Sequence, residues 1–281
     1  MWPVIIDFGN VSIFGKDIHL AIYSYGFMLV VAFYSCYFLL SKDLKRLGYE
    51  NKLASDITFF AAIGGIVGSK IYYLLENLAR VIEDPFGMIF SGSGLVFLGG
   101  LMGGTLGVTY VVRKNHLNWL TFSDIVAPLL ILGYAIGRLG CFLVGDDYGL
   151  PTNIPWGMSF ENGLPPTTYS VIERLYPWVD LTGFSQGVLK VHPTQIMETC
   201  IGFIIFLFLW KKRTSISVVG SLFFTYLILA GVERFFIEFI RLNSKYIFIF
   251  SGAQVISVLM IIIGTYFLMN PFNGHVQETE S

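Results

Sequence analysis

Residues 133–149 read GYAIGRLGCFLVGDDYG and set one cation, Arg138, in an apolar run whose small residues Gly133, Gly137, Cys141 and Gly145 recur every fourth position. That recurrence lines them up on one ridge of a helix, and small ridges let backbones approach closely in a bilayer. A charge at bilayer depth costs roughly 2.5–3.5 kcal/mol on insertion scales, so by default it marks a functional site. Two roles are open to Arg138 at this point: contact with a ligand, or the pairing of one helix with another.

The surrounding chain has 281 residues, 54% hydrophobic and 13% charged, with a mean hydropathy of +0.68. Soluble domains carry about 25% charged residues, so this is an integral membrane protein. Apolar runs long enough for a ~30 Å hydrocarbon core, about 20 residues each, fall at 20–41, 57–78, 94–113, 121–144, 193–210, 217–240 and 250–269. The predicted fold is therefore all-α, with seven transmembrane helices in a single membrane domain. The long connection 145–192 becomes an extracytoplasmic head inserted between the fourth and fifth helices. It holds five prolines together with Trp156, Trp178, Tyr148, Tyr169 and Tyr176. Such a segment is too aromatic for a disordered linker and reads as a folded cap on the outer membrane–water interface.

The net charge of −1 offers no basic field to nucleic acid, and His19, His116, His192 and His275 have no metal-ligand spacing. Cys36, Cys141 and Cys200 lie in three different apolar runs, which gives neither a disulfide framework nor a CxxC site. The N-terminal stretch lacks the basic region and small-residue cleavage site of a signal peptide, so the first span reads as an uncleaved anchor. Nine Lys and Arg residues crowd the short connections 42–56, 113–120 and 211–216, against six (Lys16, Arg80, Arg174, Lys190, Arg241 and Lys245) spread along the longer opposite side. The positive-inside rule then places the N-terminus outside and the C-terminus in the cytoplasm.

Tyr25-Gly26 in the first span reads as an interface anchor or a cavity wall. The second span carries a small-residue face, Ala61, Gly65 and Ser69 with Gly64 and Gly68, followed by Lys70, which suits either a snorkelling or a functional role. In the third, Gly99, Gly100, Gly103, Gly104 and Gly107 each cost a helix about 1 kcal/mol relative to Ala, so a neighbouring helix or a lipid headgroup must approach that backbone. The fifth span begins HPTQIMETC, with Pro193 suited to a first helical turn and Glu198 one turn deeper. The sixth ends GVERFFIEFIRLN; helical spacing puts Arg234, Glu238 and Arg241 on one face, with Glu233 about 100° away. Arg138 and Arg234 both fall in outer-leaflet halves, and the planar fork of Arg suits bidentate phosphate recognition. An anionic phospholipid is the ligand this pattern favours. No internal repeat is present, and seven spans do not halve, which argues against an inverted-repeat transporter.

Tyr25-Gly26, GGIVGSKIYYLLE, GLVFLGGLMGG, SDIVAPLLILGYAIGRLGCFLVGDDYG, HPTQIMET, ERFFIEFIR and SGAQVIS occur in an order that resembles the bacterial prolipoprotein diacylglyceryl transferase family over nearly the whole chain. The resemblance implies a seven-helix enzyme of the bacterial cytoplasmic membrane with a periplasmic head. Its expected reaction moves the diacylglyceryl group of phosphatidylglycerol to the lipobox cysteine of preprolipoprotein signal peptides, releasing glycerol phosphate, with no metal or cofactor. By the same resemblance Arg138 binds the lipid phosphate, Arg234 helps hold it and the departing glycerol phosphate, Glu238 orients Arg234, and Tyr25 lines a central cavity. Asp146 stands where the family usually has Glu, and Gly99, Gly100, Gly149 and His192 join the two arginines in substrate binding. Leu98 occupies the place of a family His thought to assist thiol deprotonation, and Cys141 that of an Asn. These departures keep open a paralogue that binds an anionic phospholipid with altered chemistry or none. A channel or transporter would need a polar path through inner-leaflet halves that are almost uncharged. A hydrolase using Cys141 as nucleophile would have no His in the same region to activate it.

Overall fold

The computed structural model describes residues 2–13, 16–90, 96–215, 218–244 and 250–271. In chain order the elements are β1 (Val4–Ile13), β2 (Lys16–Tyr23), α1 (Ser24–Arg46), α2 (Asn51–Glu76), α3 (Leu78–Glu83), α4 (Pro85–Phe90), α5 (Phe97–Lys114), α6 (Trp119–Val144), α7 (Tyr169–Leu175), α8 (Thr194–Lys212) and α9 (Ser221–Ile237). A 3₁₀ turn over Glu238–Ile240 follows, and α10 (Gly252–Met269) closes the described chain. Five helices, α1, α2, α6, α8 and α10, are long and apolar enough to cross a membrane. The fold is that of a predominantly helical membrane protein. The first residues expected in the third and sixth spans (94–95 and 217), Lys245 and the polar tail from 274 onward lie outside the described residues.

Two findings depart from the sequence reading. The N-terminal residues form an antiparallel hairpin, β1 with β2, where only a lead-in to the first span was expected; Leu20–Tyr23 belong to its second strand, and α1 starts at Ser24. The second departure is at the sixth span. The α-helix ends at Ile237, the chain tightens through the 3₁₀ turn, and Arg241 is extended at φ −87°, ψ 159°. Arg241 therefore leaves the helical face it was expected to share with Arg234 and Glu238.

The Cα framework divides into two compact units. In residues 35–125, α2 and α5 pack along their lengths. The glycines predicted to admit a close neighbour do so: a Cβ added to Gly64 would collide with the Gly103 carbonyl and one on Gly103 with that of Gly64, while Gly68 and Gly99 exclude each other in the same way. Backbone meets backbone there, recovering in contact what the glycines cost in helix propensity. Lys70 in α2 stands 5.5 Å from the centroid of the Tyr73 ring.

In the unit formed by residues 1–34 and 126–281, Ala127 and Ile131 of α6, Ile205 and Leu209 of α8, and Leu222 and Ala230 of α9 share one apolar core. α6 meets α8 at Ala135, whose Cβ lies 3.0 Å from where one added to Gly202 would be; on the small-residue ridge of α6, Gly137 has open space. Residues 145–192 are folded around a core of their own, in which Phe160 and Ile172 are fully buried with Tyr148, Leu189 and Val191. Phe160 stacks on Tyr148 with ring centroids 5.6 Å apart, and its N–H donates to Thr167 Oγ1 at 2.9 Å. Leu242, just beyond the 3₁₀ turn, joins this core, and its carbonyl accepts from Trp178 Nε1 at 3.0 Å.

Candidate active site

Four chain segments meet at one charged cluster. They are the C-terminal half of α6, the turn 145–149, the first turns of α8, and the end of α9 with its 3₁₀ extension. Their meeting point is Gly149, whose N–H donates to the His192 carbonyl at 2.9 Å. A Cβ on Gly149 would collide with the Ile240 carbonyl and lie 2.8 Å from both His192 Cβ and Thr194 Cγ2, so only glycine fits. Leu150 N–H donates to Ile240 O at 2.7 Å, and His192 N–H returns to Leu150 O at 3.0 Å. Gly149 and His192 are thus neighbours through the backbone, and burial pulls the His192 imidazole below its ordinary pKa.

Glu198 is the hub. Its carboxylate is fully buried one turn into α8, where its neighbours are three guanidiniums: Arg234 Nη1 at 2.9 Å, Arg241 Nη1 at 3.3 Å and Arg138 Nε at 3.5 Å. The Tyr134 hydroxyl donates to Glu198 Oε1 at 2.9 Å and also lies 3.2 Å from Glu233, so one proton serves two carboxylates. Removing a charge from water is expensive unless it is paired and hydrogen-bonded. Glu198 meets that condition through side chains 36 to 64 residues away in sequence.

A second carboxylate, Asp147, bridges two of the same arginines, with Oδ2 2.7 Å from Arg138 Nη1 and Oδ1 3.2 Å from Arg241 Nη2. Its backbone has φ +55°, a left-handed conformation that Asp tolerates better than most residues. Thr194 Oγ1 donates to the Asp147 carbonyl at 3.0 Å and Gln195 Nε2 to that of Asp146 at 2.5 Å, which holds the turn. Burial alone would raise the Asp147 carboxyl, but Arg241 and then Arg138 more than offset it, and its pKa lies below the ordinary value. Asp146 makes no ion pair among the described residues, and its Oδ1 is buried without a hydrogen-bond partner. Desolvation, then the neighbouring Asp147 charge, push its pKa up to about 6.

Glu238 completes the set, 2.9 Å from Arg234 Nη2. Its other oxygen accepts from Asn243 Nδ2 and Ser251 Oγ, each at 2.7 Å. The three guanidiniums differ in exposure: the Arg138 and Arg234 side chains are 17% and 23% accessible, Arg241 only 6%. Arg138 and Arg234 can meet a ligand, whereas Arg241 braces the carboxylates from within. Both open arginines also keep donors, since Nη2 of Arg138 and Nε of Arg234 have no partner among the described residues.

The structure brings Arg138, Arg234, Glu238, Gly149 and His192 of the expected site residues into this neighbourhood, and Asp146 beside it. Tyr25 is half exposed on α1, with its ring 3.4 Å from where a Cβ on Gly140 would lie. Gly99 and Gly100 lie in the other unit against α2, next to Gly68 and Ser69. Sequence reasoning set Glu198 near the cations and Arg241 on the Arg234 face without giving either a role, and gave Asp147 and Tyr134 no part in the site.

A mainly helical membrane protein that sets three arginines among carboxylates, one buried and two partly open, belongs to the membrane proteins whose intramembrane ionisable clusters mark a functional site. The prolipoprotein diacylglyceryl transferase family model matches residues 13–270, and the chain belongs to that family. It is similar to the phosphatidylglycerol–prolipoprotein diacylglyceryl transferase of Clostridium tetani, 31% identical over 88% of this chain and 92% of the relative. The transferase 2 of Clostridium perfringens is 32% identical over 95% and 98% of the two chains. A Shewanella transferase of the same name is 29% identical over 96% and 95%.

Proposed function

We propose that this chain transfers the diacylglyceryl group of phosphatidylglycerol to the lipobox cysteine thiol of preprolipoproteins. The product is a thioether and the leaving group glycerol phosphate. Family membership and the names of the relatives support the reaction. The observation that carries it to particular atoms is the pair of open guanidiniums, Arg138 and Arg234, each held by carboxylates with a donor to spare. A phosphodiester takes those donors in the ground state. As the thiolate attacks the glyceryl carbon, the carbon–oxygen bond breaks and its electron pair passes to the phosphate oxygen, where pre-placed guanidiniums stabilise the added charge.

The incoming thiol, with an ordinary pKa near 8.5, reacts as thiolate and must lose its proton. Leu98 supplies no base. Among the carboxylates around the cluster, Glu198, Glu238 and Asp147 are committed to arginines and Glu233 to Tyr134. Asp146 makes no ion pair among the described residues, is partly exposed and is raised to about 6, the property a general base needs near neutral pH; it takes the proton. Tyr25, Gly149 and His192 complete the lipid and peptide surfaces. Seven spans, with α5 and α9 joining the five long apolar helices, set the N-terminus outside and the C-terminus in the cytoplasm. The site then faces the outer leaflet beneath a periplasmic head formed by 145–192.

The test is purified protein in nanodiscs with labelled phosphatidylglycerol and a lipobox peptide. Thioether product is expected. Lipid binding without product, under conditions where a His-containing relative turns over, would sink the transferase reading and leave a lipid-binding paralogue.

A further inference from the structure

The SGAQ sequence at the start of α10 is set apart from the charged cluster in sequence, yet one of its side chains reaches it. Ser251 caps α10: its Oγ accepts from Gln254 N–H at 3.3 Å, while Gln254 Oε1 accepts from Ser251 N–H at 3.0 Å, a reciprocal capping box. A cap needs only an acceptor oxygen. The Ser251 hydroxyl proton is left over, and it goes to Glu238 Oε1 at 2.7 Å, in a site where Ser251 and Glu238 are each 3% exposed. Asn243 gives the same oxygen a second donor at 2.7 Å. With Oε1 tied down by two donors, Oε2 is the oxygen that meets Arg234 Nη2 at 2.9 Å.

We infer that Ser251 and Asn243 are positioning residues for lipid transfer: together they fix the rotamer of Glu238, and Glu238 fixes the guanidinium plane of Arg234 that meets the lipid phosphate. The inference rests on the transferase reading above. Hydrogen bonds to a charged group are among the stronger ones in proteins, and a carboxylate with one oxygen free to swing would carry Arg234 with it.

Kinetics of transfer separate this role from simple helix capping, given that the wild-type enzyme produces thioether; without that product the transferase reading itself fails and the comparison does not begin. Ser251→Ala and Asn243→Ala are expected to raise KM for phosphatidylglycerol and lower kcat, together about ten- to a hundredfold in kcat/KM, the equivalent of one hydrogen bond to a charged group. KM for the peptide should not move. Asn243 is exposed, so its variant keeps the test sound even where Ser251→Ala folds poorly. Ser251→Asp preserves an N-cap acceptor but sets a second carboxylate against Glu238, and should fall at least as far as Ser251→Ala while keeping its thermal midpoint better. Gln254→Ala breaks the capping box and leaves both Glu238 donors in place, so it should lower the thermal midpoint with lipid KM unchanged. Wild-type lipid KM in both Ser251→Ala and Asn243→Ala, or an equal rise in Gln254→Ala, overturns the inference.

Discussion

Glu198 and Arg234 lie 2.9 Å apart on different helices, the carboxylate fully buried and the guanidinium partly open. The same carboxylate also neutralises Arg241 and Arg138, so no single arginine owns it. Removing one partner of a buried pair costs about 3–5 kcal/mol because a charge is left uncompensated. Glu198→Gln keeps the volume and removes the charge; thermal unfolding in detergent should show a fall of several degrees, with transfer reduced more than tenfold. A variant as stable as wild type would mean that Asp147 and Glu238 alone suffice to neutralise the arginines.

Arg138 spans Asp147 and Glu198 with different nitrogens. Lysine, a point charge with no fork, can serve one of them but not both. Arg138→Lys should therefore lose at least tenfold in phosphatidylglycerol affinity, measured by lipid titration into nanodiscs, and Arg138→Ala should abolish binding.

Asp146 carries two pH predictions of opposite kind. As the base, it is competent when ionised, so kcat/KM should rise with pH through about 6, and Asp146→Asn should remove that limb and most of the rate. For stability the sign follows from the raised folded-state pKa. The protonated form is favoured in the fold, so the contribution of Asp146 is fully present below the ordinary carboxylate pKa and is lost as pH rises through about 6. Asp146→Asn, neutral at every pH, should thus unfold at a higher temperature than wild type at pH 7.5, with the difference shrinking by pH 5.

Leu98→His restores a residue type expected from the family resemblance. With Asp146 already serving as base, the substitution should change the rate less than threefold in the single-turnover thioether assay; a large gain would transfer the base role away from Asp146.

Gly103 and Gly137 make a matched pair for packing. A methyl on Gly103 meets the Gly64 backbone, whereas one on Gly137 meets open space. Gly103→Ala should destabilise by about 1–3 kcal/mol, the usual cost of overpacking. Gly137→Ala should be neutral or slightly stabilising through helix propensity, read as thermal midpoints in the same detergent.

Much of this architecture is written in the hydropathy of the chain. Every apolar run marked in the sequence overlaps a helix, and Arg234 with Glu238 pairs at the i,i+4 spacing that helical periodicity gives. Glu198 was harder to read. Its partners come from α6, α9 and the segment beyond α9, and periodicity speaks only of neighbours on one helix. Arg241 was hidden by a conformational switch: the pattern continues through Glu238–Ile240, but the backbone narrows to 3₁₀ and then extends, turning Arg241 towards Glu198 and Asp147. Between the two adjacent aspartates, the choice of which one faces the arginines depends on a left-handed residue that spacing does not reveal.

Gly149 carries one further consequence. Residues 145–192 and the 3₁₀ extension of α9 are joined there by the main-chain hydrogen bond from Leu150 to Ile240, with no room for even a methyl group between Gly149 and the Ile240 carbonyl. Swinging residues 145–192 aside would tear open the backbone pairing that holds Asp147 against Arg138 and Arg241. The segment is a buttress against the arginine cluster, not a hinged door.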